Sequence, residues 1–255
     1  RGGSHLLLPR VPLGALLPEP ALDWLRQRGH AVRLGQRVQA LAHDGAAWQV
    51  DGEAFDAVLL ACPSADAARL AGEAGAPPAL QAAARAWAGG AQALAFGAIA
   101  TVYARQPGAT APLLPHAMLA LRATPQYPAQ FVFDRGHLGG HHGVLAFVVS
   151  AFTGEREQLQ KQVILQARDA LGITGLQPLR TVIEKRATFA CTPALQRPAM
   201  AIAPGLLACG DYVAGPYPAT LEGAVRAGVA AAKAIPLKAS LLTGFAPSFP
   251  GRGRG

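Results

Sequence analysis

Apolar residues recur along the chain with two different spacings, and these predict a mixture of strands and helices. Short apolar runs predict strands, and runs with apolar residues three or four positions apart predict helices. The predicted strands are Ala31–Leu34, Arg37–Ala42, Ala47–Val50, Phe55–Ala61, Ala91–Arg105, Ala129–Asp134, Val144–Ser150, Val182–Ala190 and Leu206–Cys209. The predicted helices are Ala21–Arg28, Ala65–Ala71, Leu80–Trp87, Glu155–Leu171 and Ala219–Ala234. The sequence therefore predicts a chain that combines α and β elements throughout.

Local signals sharpen several of these elements. Asp44-Gly45 is a hairpin signal between two strand-like runs. Phe55–Ala61 is almost wholly apolar, which is typical of a buried parallel strand, and Ser64 is placed to cap the helix that follows it. Glu155–Leu171 has apolar residues at helical spacing, and Gly172 is predicted to end that helix.

Composition restricts the classes of protein that fit. The chain has 255 residues, of which 51% are hydrophobic and 15% are charged, enough for a sizeable core. The net charge of +8 suits an anionic ligand or an anionic membrane surface, but no basic run interleaves with aromatic residues, so we expect no nucleic-acid partner. None of the three cysteines belongs to a CxxC pair, which predicts buried, reduced thiols. No apolar run is long enough to span a bilayer.

The histidines at 137, 141 and 142 do not predict a metal site. They lie in a glycine-rich turn with no cysteine close by, and Asp134 is the only carboxylate near them in sequence. A solvated loop is the simpler interpretation, and Asp134 with Arg135 is predicted to form a surface pair. We therefore expect no metal cofactor.

The segment from Leu206 to Gly228 has the pattern of a ligand site. A predicted buried strand delivers Gly210 and Asp211 to its carboxyl end, where ligands of open α/β sheets bind. A carboxylate there can accept hydrogen bonds from a polyol, and Gly210 permits a close approach. After Pro218 a helix begins, and its free N–H groups form a positive pole suited to an electron-rich ring edge. The same spacing also fits an ordinary strand, turn and helix.

The residues of that segment add a family resemblance. Gly-Asp-Tyr, Tyr-Pro-Ala-Thr-Leu-Glu-Gly-Ala-Val and Arg-Ala-Gly resemble the C-terminal FAD signature of the amine oxidase and phytoene desaturase superfamily. The resemblance implies an FAD-dependent oxidoreductase. It implies that Gly210 and Asp211 lie at the FAD ribityl and diphosphate region. It also implies that Tyr217 and Pro218 line the flavin face, and that Thr220, Leu221 and Glu222 open the helix directed at the flavin ring.

A second segment resembles the same superfamily. Gly35–Leu41, a β-hairpin and Phe55–Pro63 look like the part of its FAD domain that follows the crossover. The resemblance implies that the backbone of Val38 faces the adenine and that Ala61 and Pro63 lie near the dinucleotide. The sequence contains no GxGxxG, the motif that binds the diphosphate in such proteins. We therefore expect the C-terminal part of such an enzyme, inactive by itself.

The resemblance also implies a fold and domains. We expect an α/β FAD-binding domain of Rossmann-like type without its N-terminal βαβ, interleaved with an α+β substrate domain on an antiparallel sheet. The predicted divisions are residues 1–65 for the remainder of the FAD domain, 66–185 for the substrate domain and 186–235 for the returning FAD segment. Residues 236–255 are predicted to be a disordered tail.

Within the superfamily, the chain most resembles the hydroxysqualene dehydroxylases of squalene and hopanoid biosynthesis. The resemblance lies in residues 5–13, 130–136, 143–150 and 184–189. It implies a hydrophobic isoprenoid substrate and a cytoplasmic protein, either free or peripheral on the inner face of the membrane. A carotenoid-type desaturase or amine oxidase is the alternative enzyme, and a non-catalytic lipid-binding fragment is the alternative outside enzymes. The residues do not identify a catalytic group.

Overall fold

The computed structural model describes residues 6–235, so the predicted tail lies outside the described residues. The helices are α1 (Leu13–Leu16), α2 (Pro18–Gln27), α3 (Ser64–Gly72), α4 (Pro78–Gln92), α5 (Arg156–Leu171) and α6 (Leu221–Ala234). The strands are β1 (Leu41–His43), β2 (Trp48–Val50), β3 (Glu53–Phe55), β4 (Val58–Leu60), β5 (Phe96–Arg105), β6 (Met118–Ala120), β7 (Phe131–Asp134), β8 (Val144–Ser150), β9 (Gln177–Phe189), β10 (Ala201–Ala203) and β11 (Leu206–Ala208).

The described chain forms two compact units, each built from two chain segments. The first contains residues up to 36 and residues 95–190, and the second contains residues 37–94 and those from 191 onward. These divisions differ from the predicted ones at 65/66 and 185/186. The assignment of the segments to an FAD-binding and a substrate-binding domain stays a prediction.

The first unit is built on a five-stranded sheet in the order β6-β7-β8-β5-β9, and all its pairs are antiparallel. The expected antiparallel sheet is thus confirmed. Because neighbouring residues of a strand point to opposite faces, the register divides the sheet into alternating rows. Val132, Phe147 and Val102 form one such row, and all three are fully buried. Helix α5 packs over this face through Leu159 and Val163.

The opposite face of the sheet is less covered. The adjacent row runs Phe131, Val148, Thr101 and Val182 across four strands. Phe131 is 39% exposed and Val182 is 41% exposed, whereas Val148 and Thr101 are half-buried. One face of this sheet therefore belongs to the core, and the other presents apolar side chains without a covering helix from its own unit.

The prediction that Asp134 forms a surface pair is wrong. Asp134 is fully buried, and its carboxylate accepts hydrogen bonds from the backbone N–H groups of Leu113, Leu114 and Gly136 at 2.6, 2.9 and 2.9 Å. A buried carboxylate needs such donors, because burial without them costs several kcal/mol. Asp134 thus joins a loop and a turn to the end of β7.

The second unit contains two three-stranded sheets. Strands β1, β2 and β3 form an antiparallel meander, and the second sheet has the order β10-β11-β4. Strand β11 pairs with β4 in parallel, with Leu206 opposite Val58 and Ala208 opposite Leu60. The apolar run Phe55–Ala61 therefore does hold a parallel strand, although only three of its residues are assigned to it. Parallel pairing brings the carboxyl ends of β4 and β11 side by side.

Several local predictions need correction. Residues 31–34 form no strand, and β5 begins only after α4 has continued to Gln92. Ser64 does not cap α3, because it is the first helical residue and its buried Oγ has no hydrogen-bond partner among the described residues. Cys62 is half-buried and Cys191 is exposed, so only Cys209 is the buried thiol expected of all three. No helix among residues 6–235 has the length and apolarity to cross a membrane.

Candidate cofactor site

The predicted site begins where β11 ends. Strand β11 is fully apolar and buried, and it leads through Cys209 to Gly210 and Asp211. A Cβ at position 210 would lie 2.7 Å from Cε1 of Tyr212, so only glycine leaves room for the ring at this bend. The side chain of Tyr212 thus packs back over the strand end, and Asp211, which is half-buried, follows directly.

The ring of Tyr212 creates a buried polar group without a partner. The residue is 3% exposed, and its hydroxyl makes no hydrogen bond within the part of the chain that the structure describes. Burial raises the pKa of Tyr212 above its usual range, and the nearby thiols of Cys62 and Cys209 contribute in the same direction. Burial also raises the pKa of both thiols. Burial therefore favours the neutral forms of Tyr212 and of both thiols near the carboxyl ends of β4 and β11.

A tight turn leads from this loop into α6. Tyr217 and Ala219, on either side of Pro218, both have left-handed backbone conformations, with φ of 55° and 56°. Thr220 caps the helix, because its Oγ1 accepts a hydrogen bond from the N–H of Gly223 at 3.0 Å and donates one to the carbonyl of Tyr217 at 2.6 Å. The expected helix start at Thr220–Leu221–Glu222 is thus present.

The first turn of α6 keeps donors available. Leu221 and Glu222 have no intrahelical acceptor for their N–H groups, as in any first helical turn. Leu221 is 74% exposed, so this end of the helix faces outward in its own unit. The carboxylate of Glu222 is paired with Arg226 at 2.5 Å, and the Arg226 guanidinium also lies 5.0 Å from the ring centroid of Tyr217. Glu222 is therefore partly neutralised by a neighbour on its own helix.

A cavity of about 420 Å³ lies beside Val38 and the end of β4. Its lining is mostly apolar, with Leu41, Val58 and Leu60 among the apolar residues, and it includes the charged side chains of Arg37, Asp66 and Arg69. The cavity also includes Ala61, so the structure brings together Val38 and Ala61, two of the three residues of the second predicted segment. Pro63 lies two positions after Ala61 and immediately precedes α3. A concave, mostly apolar cavity of this size is of the kind that binds small molecules or parts of cofactors.

Sequence reasoning missed Arg69, which holds this segment in place. Its guanidinium donates to the carbonyl of Val38 at 3.1 Å and to that of Gln39 at 3.0 Å. The carbonyl of Val38 therefore already accepts a hydrogen bond from a side chain of its own unit. At the cavity rim, Arg37 pairs with Asp66 at 2.6 Å. No sequence signal identifies a helical arginine that donates to backbone carbonyls some thirty residues earlier.

These features fit a dinucleotide in two respects. The cavity beside Val38 and Ala61 has a mostly apolar lining with a few charged groups, which is the usual character of a site for a small molecule or part of a cofactor. Three buried polar atoms of this unit have no partner among residues 6–235, namely Ser64 Oγ, Arg69 Nε and Tyr212 OH. Such groups are rare in native proteins and call for a partner. The residues present therefore suit FAD, and no contact with it follows from their positions alone.

The three histidines do not belong to a metal-like cluster in the part of the chain that the structure describes. His137 Nε2 makes a hydrogen bond of 2.8 Å with the carbonyl oxygen of Leu114. Among residues 6–235 no three His, Cys, Asp or Glu side chains come together in the manner of a metal site. The expectation that the protein uses no metal stays a prediction.

Comparison with proteins of known sequence gives two curated relatives. The chain is 30% identical over 250 residues to a hydroxysqualene dehydroxylase of Rhodopseudomonas palustris, covering 90% of this chain and 52% of that protein. It is 30% identical over 246 residues to the same enzyme of Sinorhizobium fredii, covering 89% and 51%. The chain thus spans about half the length of the curated relatives it matches.

Solved structures share the fold. An oxidoreductase from Methanosarcina mazei superposes with a TM-score of 0.60 at 18% identity, over 84% of this chain and 53% of that one. Putrescine oxidase with bound putrescine gives a TM-score of 0.53 at 16% identity, over 85% and 52%. The family model for flavin containing amine oxidoreductases matches residues 2–236. On this match, the chain belongs to the flavin-containing amine oxidoreductase family, whose members are oxidoreductases that use FAD.

Proposed function

We propose that this chain forms the ribityl- and ring-binding half of an FAD-dependent enzyme of squalene and hopanoid biosynthesis. The complete enzyme removes the hydroxyl group of hydroxysqualene to give squalene. The observation that carries the proposal is the 30% identity to two hydroxysqualene dehydroxylases, which extends over 90% and 89% of the chain. Such coverage includes the substrate-domain sheet and the Gly210–Glu222 segment alike.

The reaction is a two-electron reduction of an alcohol. The carbon–oxygen bond breaks, a hydride replaces the hydroxyl group on carbon, and the oxygen leaves with a proton as water. The two electrons would come as a hydride from reduced FAD when that cofactor is bound. The protein's contribution is to bind the allylic carbon, to exclude water and to orient the substrate.

The less covered sheet face supports an apolar substrate. Phe131, Val148 and Val182 lie in one row on the face opposite α5. This surface offers carbon atoms and few hydrogen-bonding groups, which suits an isoprenoid hydrocarbon. Thr101 is the one hydroxyl in the row.

The proposal gives each predicted site residue a role. Asp211, with Gly210 beside it, accepts from the ribityl hydroxyls, and the N–H groups of Leu221 and Glu222 face the electron-rich edge of the ring. Tyr217 and Pro218 line its face, and Thr220 holds the helix start. Val38, Ala61 and Pro63 contact the adenine end. These roles rest on the signature and on the Thr220 cap, the turn at Pro218 and the cavity beside Val38.

The amine oxidase alternative is less favoured. An amine substrate needs aromatic faces about its nitrogen, and Tyr212 and Tyr217 are the only aromatic residues of the signature. Tyr212 is 3% exposed and packs against Gly210, so its ring offers no free face. A carotenoid-type desaturase remains the alternative enzyme, since its substrate is also an apolar isoprenoid.

An anaerobic assay separates these functions. The chain is joined to a segment that carries GxGxxG, loaded with FAD, reduced, and incubated with hydroxysqualene, a carotenoid precursor or a primary amine. We expect mass analysis to find squalene from hydroxysqualene and no change in the amine. A parallel incubation with an added oxidant tests desaturation. Gain of double bonds in the carotenoid precursor, with hydroxysqualene untouched, would establish the desaturase instead.

The chain by itself tests the third hypothesis. Without GxGxxG it is expected to bind FAD weakly and to be inactive, because the diphosphate lacks its usual helix N-terminus. The visible spectrum after gel filtration with FAD measures this. Stoichiometric flavin that survives filtration would show that the cofactor site lies elsewhere in the chain. A colourless chain that binds isoprenoid lipid would favour a lipid-binding fragment.

We include peripheral membrane association in the proposal. Within residues 6–28, Leu7, Leu13 and Leu17 are each more than half exposed, and Trp24 is 43% exposed. The guanidinium of Arg28 lies 3.8 Å from the Trp24 ring centroid, an arrangement that suits a lipid interface. Sedimentation with anionic and with neutral vesicles tests this. Equal absence from both pellets would contradict it.

A further inference from the structure

The guanidinium of Arg197 lies beneath the loop that follows Asp211. Its Nη1 donates to the carbonyl of Val213 at 2.9 Å and to that of Asp211 at 3.4 Å. Its Nη2 donates to the carbonyl of Gly215. One side chain thus engages the carbonyls of three alternate residues, so it fixes the path of the entire 211–215 loop.

The backbone that follows Arg197 is itself anchored by hydrogen bonds. The N–H of Ala214 donates to the carbonyl of Pro198 at 2.8 Å, and the indole of Trp87 donates to the carbonyl of Ala199 at 2.7 Å. Arg197 is half-buried, so its hydrogen bonds to carbonyls are only partly exposed to competing water. The base of the 211–215 loop is therefore tied to α4 through residues 197–199.

The 211–215 loop has little else to hold it. It contains no helix or strand. Apart from the bond between Ala214 and Pro198, its backbone hydrogen bonds among residues 6–235 are those from the N–H of Val213 to the carbonyl of Gly210 at 3.3 Å and from the N–H of Ala219 to the carbonyl of Asp211 at 3.4 Å. A planar guanidinium with several donors in a fixed fork can satisfy three carbonyls together, whereas a lysine ammonium is a compact point charge on a flexible stem. The geometry thus requires arginine, beyond a requirement for positive charge.

We propose that Arg197 is the positioning residue of the flavin loop: it holds the 211–215 backbone so that the Asp211 carboxylate is presented to the cofactor. This assignment rests on the proposed role of Asp211. Arg197 acts through the backbone of the loop. The sequence signature contains the loop and omits this residue, which lies fourteen positions before Asp211.

Amide hydrogen exchange, measured on the 255-residue chain without flavin, tests whether Arg197 holds the 211–215 loop. In Arg197→Gln we expect the amides of Val213 and Ala214 to exchange about tenfold faster or more, the factor for loss of one charge-assisted hydrogen bond. Arg197→Lys is expected to lie between this variant and the native chain. In Arg197→Ala, methylguanidinium should restore protection, and methylammonium at equal concentration should not. Arg168→Gln, which removes a surface arginine of the other unit, is the matched control.

Three results would show that Arg197 does not hold the 211–215 loop. The first is native exchange at Ala214 in Arg197→Gln. The second is equal acceleration in β4 and β11, which would mean a general loss of stability. The third applies if Arg197→Gln does not fold: it is amide protection of the 211–215 loop in Arg197→Lys equal to that of the native chain.

The second experiment measures FAD binding, with the chain joined to a segment that carries GxGxxG as in the anaerobic assay. Arg197→Lys is expected to raise the Kd for FAD about tenfold, again the factor for one charge-assisted hydrogen bond. An unchanged Kd with a loosened loop would overturn the positioning role. Failure of the dehydroxylation assay with FAD still bound would concern only the proposed reaction.

Discussion

Gly223 lies directly against the backbone of Tyr217. A Cβ built at position 223 would be 2.2 Å from the carbonyl oxygen of Tyr217, well inside van der Waals contact. The chain reaches this contact because Tyr217 and Ala219 adopt left-handed conformations and Thr220 caps the helix onto the same turn. The glycine of the signature thus permits the turn to close over the start of α6.

Two glycine substitutions in α6 should therefore have opposite effects. Gly223→Ala forces the turn apart and is expected to destabilise the chain by about 1–3 kcal/mol, the usual cost of overpacking. At Gly228 an added Cβ meets nothing within 4 Å. Gly228→Ala should stabilise by about 0.5–1 kcal/mol, because alanine is the better helix former. Urea unfolding of both variants measures the difference, and equal effects would contradict the close contact at 223.

Tyr212 offers a test of the unpartnered hydroxyl. Tyr212→Phe removes a buried group that makes no hydrogen bond within residues 6–235. We expect the variant to be as stable as the native chain or up to about 1–3 kcal/mol more stable, since an unsatisfied buried group carries a desolvation cost. Thermal unfolding without flavin measures this. A clear loss of stability would mean that the hydroxyl is bonded in solution.

The same residue predicts a pH dependence. Burial raises the pKa of Tyr212, so the folded state disfavours the tyrosinate. Its contribution to stability is complete below the unfolded pKa of about 10 and is lost as the pH rises above that value. Between pH 8 and pH 12, the free energy of unfolding should therefore fall less steeply with pH for Tyr212→Phe than for the native chain. Parallel curves would contradict the raised pKa.

Asp134 is expected to be a stability determinant of the first unit. Asp134→Ala leaves the N–H groups of Leu113, Leu114 and Gly136 without their acceptor, at a cost of about 3 kcal/mol or more. Asp134→Asn keeps the shape and one oxygen, so its loss should be smaller. Asp169→Asn, which changes a surface carboxylate, should cost less than either substitution at position 134. Chemical denaturation compares all three, and a neutral Asp134→Ala would contradict the buried network.

Asp211 carries the proposed contact with the ribityl chain. In the FAD-binding form of the enzyme, Asp211→Ala should weaken FAD binding by about 1.5–3 kcal/mol, the range for a hydrogen bond to a charged group. Circular dichroism should show an unchanged fold, because the Asp211 side chain is half-buried and the loop is held through its backbone. Flavin content at limiting FAD is the measurement. Full occupancy in the variant would exclude the assignment.

Helices and long strands followed from local signals. Glu155–Leu171 was predicted from its apolar spacing, and α5 occupies Arg156–Leu171 with Gly172 in the left-handed conformation at its end. Val144–Ser150 coincides with β8. Short edge elements such as β6 and β10 were missed, because three residues carry too little periodicity and form strands only through their partners. Residues 31–34 had strand-like composition and no pairing partner.

The candidate site was predictable as far as it is contiguous. Gly210, Asp211 and the Thr220 helix start lie within one short segment, so their order and spacing alone indicate a strand, a turn and a capped helix. Arg69 and Arg197 were not predictable. Each donates hydrogen bonds to backbone carbonyls of residues distant in sequence. Because every residue has a backbone carbonyl, residue type does not identify the acceptor.

The sequence by itself determined the family signature, the cofactor class and the polarity of each element, because these depend on residue type and local spacing. Tertiary structure alone decided that Asp134 is a buried acceptor and not a surface charge, and that β4 lies parallel to β11. It also decided that Arg69 and Arg197 donate hydrogen bonds to backbone carbonyls of the predicted FAD segments. Burial and hydrogen bonding depend on which distant atoms meet, and that is set only when the whole chain packs.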